Sequence, residues 1–483
     1  MNRMLSKSRP QRTDPPVVLA LLFALALLAV CGIFRQTRVG ASDWYGYYGQ
    51  ADMFARGRLH LETRLDAARY PALAPLGFHV VNGRVVPQYP PGYPLLMAAA
   101  STLGLAFFVA PLFAVLTFLL LFVWIREETD GWTALAFALM WALAPVVLSS
   151  STYVMSDIVA TFFVLLGFRL FLKERDALSA LALGFSIAVR PTNALFLLLL
   201  VPGLLRRGRW LRFGIGFAPP AVLYGIYNLV QYGAPWRTGY PTTSVDITAA
   251  VFTHHIAYYG TQILVQFTPV VIVLAVLGLA KKQTGRIFLS LWFLVLVVLY
   301  SFWRPGADTW WYTRFLLPSL PVLFILAARG WTVLKQPIER IGPGRRVIGA
   351  SALVLLTLGV SLYSLHFSSD KMIFTTRKGL RFYEVSRTVA ERVPADAVVG
   401  SLGFSGPLRL YTPLESFCLY HRGAFALINH LFRQGDPVYL VVQPWAWQDA
   451  NVKKALRWYA HDTVMTFYGS DDFRLLHLTG KAR

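Results

Sequence analysis

The chain has 483 residues, of which 56% are hydrophobic and 14% are charged, and its mean hydropathy is +0.51. A single water-soluble domain does not need so much apolar surface, so we expect much of it to face lipid. The net charge of +22 does not indicate nucleic-acid binding, because the basic residues lie in short groups between apolar runs and not on one patch.

The cysteines and the start of the chain exclude further classes. Cys31 and Cys418 are the two cysteines, too few and too far apart for a disulfide framework or a cysteine metal site. The basic start and the apolar run 17–34 resemble a signal peptide, with a lipoprotein-like cleavage site before Cys31. Val30 is too large for that site and many apolar runs follow, so we interpret the run as an uncleaved first transmembrane helix.

Apolar runs of about 20 residues, the length that crosses a bilayer, recur along the chain. The predicted spans are 17–34, 104–125, 131–148, 157–173, 211–230, 262–280, 286–302, 314–330 and 347–366. The run 178–205 is interrupted at Arg190-Pro191-Thr192-Asn193, where proline ends a helix and polar residues favour a turn. We interpret it as two short, tilted spans, which gives about eleven transmembrane helices in total.

The basic residues also predict the orientation of the chain. One alternating set of loops carries many lysines and arginines, whereas the opposite short loops carry Arg190, Arg237, Arg304 and Arg314. The positive-inside rule therefore places the N-terminus in the cytoplasm and, with an odd number of spans, the C-terminus outside. We expect a multi-pass protein of the plasma (inner) membrane.

Two stretches outside the predicted spans are long enough to fold. The first loop, 35–94, mixes aromatic, glycine and charged residues and predicts short amphipathic helices at the membrane interface. Helical and strand patterns alternate in the tail: helices at 381–392, 424–433 and 449–459, strands at 397–402 and 438–442. We therefore predict a helical transmembrane domain, 1–366, that includes the first loop, and a small extracytoplasmic α/β domain, 367–483.

Two acidic residues lie where predicted spans reach the outer surface, a depth at which ionisable groups are costly and tend to mark functional sites. Asp43 follows the first span in an aromatic stretch, and a desolvated carboxylate there would take a proton from an acceptor hydroxyl. Asp157 opens the fourth span on the same side. Helix capping explains each residue equally simply, so both interpretations stay open. Asp43 and Asp157 are the candidate catalytic residues.

Arginines on the same side are candidate ligands for a phosphate. Arg190 lies at the break between two short spans, and Arg304 and Arg314 flank an aromatic segment. Guanidinium groups suit phosphate oxygens, and a lipid phosphate reaches this depth. Snorkelling to headgroups explains any single one, but three on one face favour a site. We add Tyr45 and Tyr89 as candidate substrate-binding residues.

In their order and placement, these motifs resemble the GT-C superfamily of membrane glycosyltransferases, which includes protein O-mannosyltransferases and aminoarabinose transferases. The resemblance runs from the first span to the tail. The segments that carry it are Ser42-Asp43-Trp44-Tyr45-Gly46-Tyr47, Tyr89-Pro90-Pro91-Gly92-Tyr93-Pro94, Met155-Ser156-Asp157, Arg190-Pro191-Thr192, Tyr232-Gly233-Ala234-Pro235 and Tyr312-Thr313-Arg314-Phe315-Leu316-Leu317-Pro318.

The resemblance implies a GT-C-like fold and a polyprenyl-phosphate sugar as donor. Asp43 would correspond to the catalytic base: it would deprotonate an acceptor hydroxyl, which displaces the lipid phosphate with inversion while arginines stabilise the developing charge. Asp157 would orient the acceptor or help hold a divalent cation, which some members use. The acceptor would be a lipid, a glycan or a protein of the cell envelope.

Two positions depart from the family pattern. Many relatives have Asp-Glu at the first motif, whereas Trp44 follows Asp43 here. Aminoarabinose transferases have a lysine where this chain has Tyr89. The first departure leaves the base intact, and the second moves the expected phosphate contacts to the three outer arginines.

Two other functions stay open on the sequence alone. A transporter or flippase for a lipid-linked substrate would also have a basic outer cavity, although the chain has one clear helix break, at Pro191, and no repeated half. A catalytically silent scaffold would not need Asp43 to face a cavity. We expect the membrane and a lipid-linked donor, not nucleic acid, as partners.

Overall fold

The structure, a computed structural model, describes residues 14–40, 42–206, 208–240, 246–280, 285–303, 309–340, 343–421, 423–467 and 473–481. Helices form most of this part of the chain, and a five-stranded sheet lies in the tail. The predicted fold class, a helical polytopic membrane protein with a small C-terminal α/β region, is confirmed.

The first part of the chain is a bundle of helices. They are α1 (Pro15–Ile33), α2 (Asp43–Ala55), α3 (Gly92–Ser101), α4 (Val109–Glu128), α5 (Gly131–Ala142), α6 (Pro145–Thr152), α7 (Asp157–Leu172), α8 (Asp176–Val189), α9 (Val201–Arg206), α10 (Trp210–Tyr232), α11 (Ala249–Ala280), α12 (Arg286–Ser301), α13 (Pro321–Arg340) and α14 (Pro343–Asp370). Among the described residues, five helices are long and apolar enough to cross a membrane, or up to seven if each bent pair is one span. The number of about eleven spans stays a prediction.

Prolines explain where the helices depart from the predicted spans. The predicted span 131–148 is bent by 63° between α5 and α6, which begins at Pro145. The predicted span 314–330 is a 3-10 segment, Trp310–Ser319, followed by α13 at an angle of 71°. Proline removes a backbone donor and clashes with the preceding turn, so the helix axis changes direction at these positions.

The first loop contains a β-hairpin that the sequence analysis did not predict. Strands β1 (Phe78–Val81) and β2 (Arg84–Pro87) pair antiparallel. They are joined by Asn82 and Gly83, both with positive φ (49° and 77°), and Asn-Gly is a favoured pair for such a two-residue turn. The predicted helical character of the loop is restricted to α2, α3 and a short 3-10 segment at Pro71–Leu73.

The tail forms a sheet covered by helices. Its elements are α15 (Leu380–Arg392), β3 (Val398–Ser401), α16 (Ser405–Tyr411), β4 (Glu415–Cys418), α17 (Ala424–Gln434), β5 (Val438–Val442), α18 (Ala450–Trp458), β6 (Tyr459–Phe467) and β7 (Phe473–Lys481). The strand order is β4-β3-β5-β7-β6; β3 is parallel to β4 and β5, and β7 is antiparallel to β5 and β6. Of these elements, α16, β4, β6 and β7 were not predicted from the sequence.

The first loop and the tail share one hydrophobic core. Tyr45 and Phe78 of the loop are buried in the same cluster as Phe417, Leu427 and Leu440 of the tail. A second cluster covers the other face of the sheet, and the membrane helices have their own core. The loop and tail therefore lie together at one end of the helix bundle, and this end holds the candidate site.

Candidate active site

A cavity of about 290 Å³ lies beneath the first loop, where α2, α7, α8 and the 3-10 segment Trp310–Ser319 meet. Its lining is polar and aromatic: Asp43, Tyr47, Gln88, Tyr89, Met155, Asp157, Arg190, Pro191, Thr192, Tyr240, Tyr300, Trp303, Arg314 and Phe315. The structure thus brings together five residues that the sequence analysis selected, from four separate parts of the chain.

Asp43 is the first residue of α2, but its carboxylate does not cap that helix. Ser42 holds the N-cap position without a side-chain cap bond. Asp43 instead accepts from the Tyr89 hydroxyl at 2.5 Å on one oxygen and from Arg314 at 2.8 Å on the other. About a third of the side chain (32%) is exposed, so the carboxylate is held in place and still reached from the cavity.

Glycine allows Tyr89 to reach Asp43. Gly46 lies one turn after Asp43 on α2, and a Cβ atom added there would collide with the ring of Tyr89. The same ring packs on Tyr47, with the centroids 4.4 Å apart. Burial, followed by the charge of Asp43, raises the pKa of Tyr89 well above its usual value. The hydroxyl therefore stays protonated and donates to the carboxylate.

Asp157 begins α7 and is almost fully buried, with 2% of its side chain exposed. One oxygen pairs with Nη1 of Arg190, and the other lies 3.8 Å from Nε of Arg314. Its N-terminal position also suits a negative charge, because the helix dipole is positive there. Helix capping, the alternative interpretation of Asp157, does not account for this side chain, because its oxygens face two guanidinium groups.

Proline sets the position of Arg190. Arg190 ends α8 in an extended conformation (φ −145°, ψ 108°), which a following proline favours. From there its guanidinium reaches Asp157 and donates to the hydroxyl of Tyr300 at 3.2 Å. That hydroxyl also lies 3.1 Å from the hydroxyl oxygen of Thr192. The break at Pro191 therefore turns a helix end into part of the cavity wall.

Arg314 connects the two carboxylates. It lies in the 3-10 segment with 6% of its side chain exposed, and it contacts both Asp43 and Asp157. Its guanidinium carbon is 4.9 Å from the ring centroid of Trp311 and 4.7 Å from that of Phe315. Nη1 is buried and has no hydrogen-bond partner among the described residues. One donor of this cation is thus left for a further acceptor.

Among the described residues that line the cavity the formal charges balance, and this bears on the binding of a divalent cation. Asp43 and Asp157 face Arg190 and Arg314, two carboxylates against two guanidinium groups. A divalent cation on these carboxylates would have to displace arginines that already compensate their charge. Within the described ranges, no group of three or more His, Cys, Asp or Glu residues could hold a metal. A divalent ion held by Asp43 and Asp157 would therefore require Arg190 or Arg314 to move away from its carboxylate.

Two selected residues do not join this arrangement. Tyr45 packs against Phe78, with centroids 5.4 Å apart, and beneath Gly406 of the tail. It lies outside the cavity lining and serves the core between loop and tail, so the expected substrate contact of Tyr45 is not supported. Arg304 falls outside the described residues.

The cavity also contains residues that the sequence analysis did not select. Tyr300 ends a predicted span on the outer side, so its position at the membrane boundary was a usable signal. Thr192 stands in the Arg190-Pro191-Thr192 motif but was not assigned a role. Tyr47 donates to or accepts from Ser156 at 2.9 Å. Tyr240 follows a predicted span in a loop that offers no periodic pattern, and no sequence signal points to it.

Part of this cavity lies in a segment of the chain that matches a known protein family. Residues 90–205 match the family model for dolichyl-phosphate-mannose-protein mannosyltransferases. The matched segment includes Asp157, Arg190 and Thr192 of the cavity. A comparison with curated proteins gave no match.

Solved structures with the same fold are known for three kinds of enzyme. ArnT from Cupriavidus metallidurans bound to undecaprenyl phosphate has 15% identity and a TM-score of 0.57, over 96% of this chain and 98% of that chain. AglB, the Archaeoglobus fulgidus oligosaccharyltransferase, in complex with an inhibitory peptide and a dolichol-phosphate, has 11% identity and a TM-score of 0.59, over 96% of this chain and 74% of that chain. Arabinofuranosyltransferase AftD from Mycobacteria has 14% identity and a TM-score of 0.55, over 95% of this chain and 40% of that chain.

These identities show a shared fold, and the family match covers residues 90–205 of this chain. The helices form a multi-pass membrane protein, as in the enzymes that it resembles. The resemblance seen in the motifs is confirmed for the fold: the chain has the fold of these GT-C glycosyltransferases, and residues 90–205 match the mannosyltransferase family model.

Proposed function

We propose that this protein transfers a sugar from a polyprenyl-phosphate donor to an acceptor hydroxyl, with inversion at the anomeric carbon and with Asp43 as the base. Two similar structures contain such lipids: ArnT is bound to undecaprenyl phosphate, and AglB is in complex with a dolichol-phosphate. The residues that line the cavity of this chain have the chemistry that such a donor requires.

The arrangement of Asp43 beside Arg314 and Arg190 is the observation that carries the proposal. Both guanidinium groups and the partly exposed carboxylate line one cavity. Arginine forks suit the oxygens of a phosphate, and a carboxylate suits a hydroxyl proton. A donor phosphate on the arginines and an acceptor hydroxyl on Asp43 would therefore be neighbours.

The proposed step is a single displacement. Asp43 takes the acceptor proton as the acceptor oxygen forms a bond to the anomeric carbon, and the bond from that carbon to the phosphate oxygen breaks. The leaving phosphate keeps the electron pair, and Arg190 and Arg314 stabilise its charge. Phosphate is a good leaving group, so no general acid is needed, and Asp43 then returns its proton to solvent.

Asp157 acts through the arginines in this proposal. It contacts Arg190 and Arg314 and is almost fully buried, so it fixes their orientation before the donor arrives. It is thus a positioning residue, and preorganised charges cost no rearrangement during the reaction. Acceptor contacts are left to the first loop and the tail, which meet above the cavity.

The predicted orientation places the reaction outside the cytoplasm. The positive-inside rule puts the N-terminus in the cytoplasm and the loop–tail end of the bundle on the extracytoplasmic side. The donor and the acceptor, a lipid, a glycan or a protein, would then meet at the outer face of the plasma membrane.

The experiment is sugar transfer by purified protein in liposomes from a panel of radiolabelled polyprenyl-phosphate sugars. Wild type is compared with Asp43→Asn and with Asp52→Asn. Asp52 lies on the same helix with a similar exposure (33%), but it pairs with Arg56. We expect Asp43→Asn to lower the rate about 100- to 10,000-fold, the range for loss of a general base. Donor binding should persist, and Asp52→Asn should transfer normally.

Other outcomes would contradict the proposal in distinguishable ways. Transfer by Asp43→Asn at the wild-type rate would refute the role of the base. Movement of the donor across the bilayer without transfer, unaffected by Asp43→Asn, would favour a transporter.

A further inference from the structure

A second groove lies at the opposite end of the bundle from the candidate site. The two ends of α1 define these ends of the bundle. Before its start, Asp14 pairs with Arg126 at 2.6 Å, on the side of the groove. After its end, the carbonyl of Phe34 accepts from Lys378 of the tail, on the side of the candidate site. The groove has a volume of about 450 Å³ and lies between α5, α13 and α14. Its walls are largely aliphatic, and Asp130, Trp331 and Lys335 form its polar end.

The length of the groove matches one leaflet of a bilayer. Its lining extends from Asp130 to Leu139 on one side and from Gly349 to Leu358 on α14. Nine helical residues at about 1.5 Å each give roughly 14 Å, close to half of a hydrocarbon core of about 30 Å. The groove therefore fits an acyl chain of one leaflet, not a chain that crosses the membrane.

The polar end combines a cation with an unsatisfied donor. Lys335 lies one helical turn after Trp331, and its Nζ is 3.1 Å from Asp130. Trp331 is 9% exposed, and its indole N–H has no hydrogen-bond partner among the described residues. A buried donor without a partner is costly, and an acceptor at this end of the groove would satisfy it.

The local charge selects the kind of headgroup. In the sequence, four basic residues lie between positions 335 and 346, where α13 ends and α14 begins, against Glu339 in the same segment and Asp130, the partner of Lys335; they are Lys335, Arg340, Arg345 and Arg346. The balance is positive, which favours an anion at the membrane surface. Tryptophan and lysine are also residue types that hold lipid headgroups at an interface.

We propose that this groove binds one anionic glycerophospholipid of the leaflet opposite the candidate site. The phosphate lies at Lys335 and Trp331, and an acyl chain lies along α5 and α14. This binding goes beyond glycosyl transfer and does not depend on it, since no residue of the groove belongs to the catalytic cavity.

Native mass spectrometry of the full-length protein in detergent tests the proposal. The protein is titrated with dioleoyl phosphatidylglycerol or, as a zwitterionic probe with the same chains, dioleoyl phosphatidylcholine. Gly349→Leu fills the groove, because a Cβ at Gly349 meets no described atom within 4 Å. Gly214→Leu on α10 is the matched control: that glycine is equally open and lies outside the groove.

We expect wild type and Gly214→Leu to bind one phosphatidylglycerol molecule. At the same lipid concentration, the lipid-bound fraction of Gly349→Leu should be at least tenfold lower. Lys335→Gln should reduce the preference for phosphatidylglycerol over phosphatidylcholine, and it tests the site even if Gly349→Leu fails to fold. The proposal would be overturned if wild type and Gly349→Leu bound the lipid equally, or if wild type showed no preference between the two lipids. It would also be overturned if the protein formed a dimer that did not bind the lipid, since a second copy would then occupy the groove.

Discussion

Arg314 donates to the carboxylate of Asp43 at 2.8 Å, and this bond joins residues that are 271 positions apart in the chain. It links the 3-10 segment before α13 to the first turn of α2. Because Arg314 also lies 3.8 Å from Asp157, one side chain orients both candidate acids. The cavity is therefore held together by charge contacts across the bundle and not by any single loop.

Shortening the cation tests this arrangement. Arg314→Lys keeps the charge, but a lysine has one ammonium group and cannot span two carboxylates as a guanidinium does. We expect the kcat of transfer to fall by a factor on the order of 10 to 100. The matched control is Arg329→Lys, which replaces a buried arginine that binds Glu128 with two bonds, of 2.6 and 3.0 Å. Equal kcat values for the two variants would contradict a role for Arg314 in transfer.

Removal of the Tyr89 hydroxyl tests the orientation of the base. Tyr89→Phe keeps the ring that packs on Tyr47 but loses the 2.5 Å bond to Asp43. Hydrogen bonds to charged groups contribute about 1.5 to 3 kcal/mol, so we expect kcat/KM to fall roughly 10- to 100-fold. Tyr232→Phe removes a comparable buried hydroxyl, bonded to the Pro87 carbonyl at 2.9 Å, and should leave kcat/KM within a factor of about 3.

Gly46→Ala tests why glycine follows Asp43 by one turn. The added methyl group would collide with the ring of Tyr89, so the ring must move away from the carboxylate. We expect a loss of transfer at least as large as in Tyr89→Phe and a lower thermal midpoint, since overpacking costs about 1 to 3 kcal/mol. Gly260→Ala on α11 places its methyl group in open space and should be neutral or slightly stabilising. A fully active Gly46→Ala would show that the ring position is not needed.

The sequence predicted the parts of the fold that local patterns determine. Long apolar runs located most membrane helices, because burial in lipid requires such runs whatever the neighbours are. Pro191 marked the helix break that positions Arg190, because proline acts on its own chain. The strand Val438–Val442 was predicted with its observed limits, since a strand buried on both faces is a continuous hydrophobic run that stands out in the sequence.

Other features depend on partners that are distant in the chain. The edge strand Tyr459–Phe467 has a run of exposed residues and no clean alternation, so its pairing with β7 decides its structure. Tyr45 was predicted to bind substrate, but it stands two positions after Asp43 on α2, and at about 100° per residue the two side chains point to nearly opposite sides of the helix. The hairpin at Asn82-Gly83 was visible in the sequence as a turn signal and was missed.

Removal of divalent cations tests the charge balance of the cavity. Asp43 and Asp157 already face Arg190 and Arg314, so transfer should not require a metal ion. We expect the rate in excess chelator to stay within a factor of about 2 of the untreated rate. A loss of activity that added Mg²⁺ or Mn²⁺ restores would contradict this expectation and would mean that a carboxylate exchanges an arginine for a metal.

Lys378 makes the stability of the protein depend on pH. It lies between α14 and α15, outside the membrane helices, and is 4% exposed. Its Nζ donates to the carbonyl of Phe34 at 2.5 Å and lies 4.7 Å from the ring centroid of Tyr153. Burial lowers the pKa of Lys378 from 10.5 to about 7. Between these values the unfolded chain keeps a proton that the folded chain has released, so stability rises with pH across this window and is flat below it.

The free energy of unfolding rises by at most about 5 kcal/mol between the pKa values of Lys378 in the folded and the unfolded chain. Thermal unfolding in detergent from pH 6 to pH 10 measures it as the difference between wild type and Lys378→Met. Lys371→Met is the control, because Lys371 is exposed and should leave the pH dependence unchanged. If the stability of wild type and of Lys378→Met changes with pH in parallel, the pKa of Lys378 is the same in the folded and the unfolded chain. Its contact with the end of α1 would then not require the buried ammonium group to lose its proton.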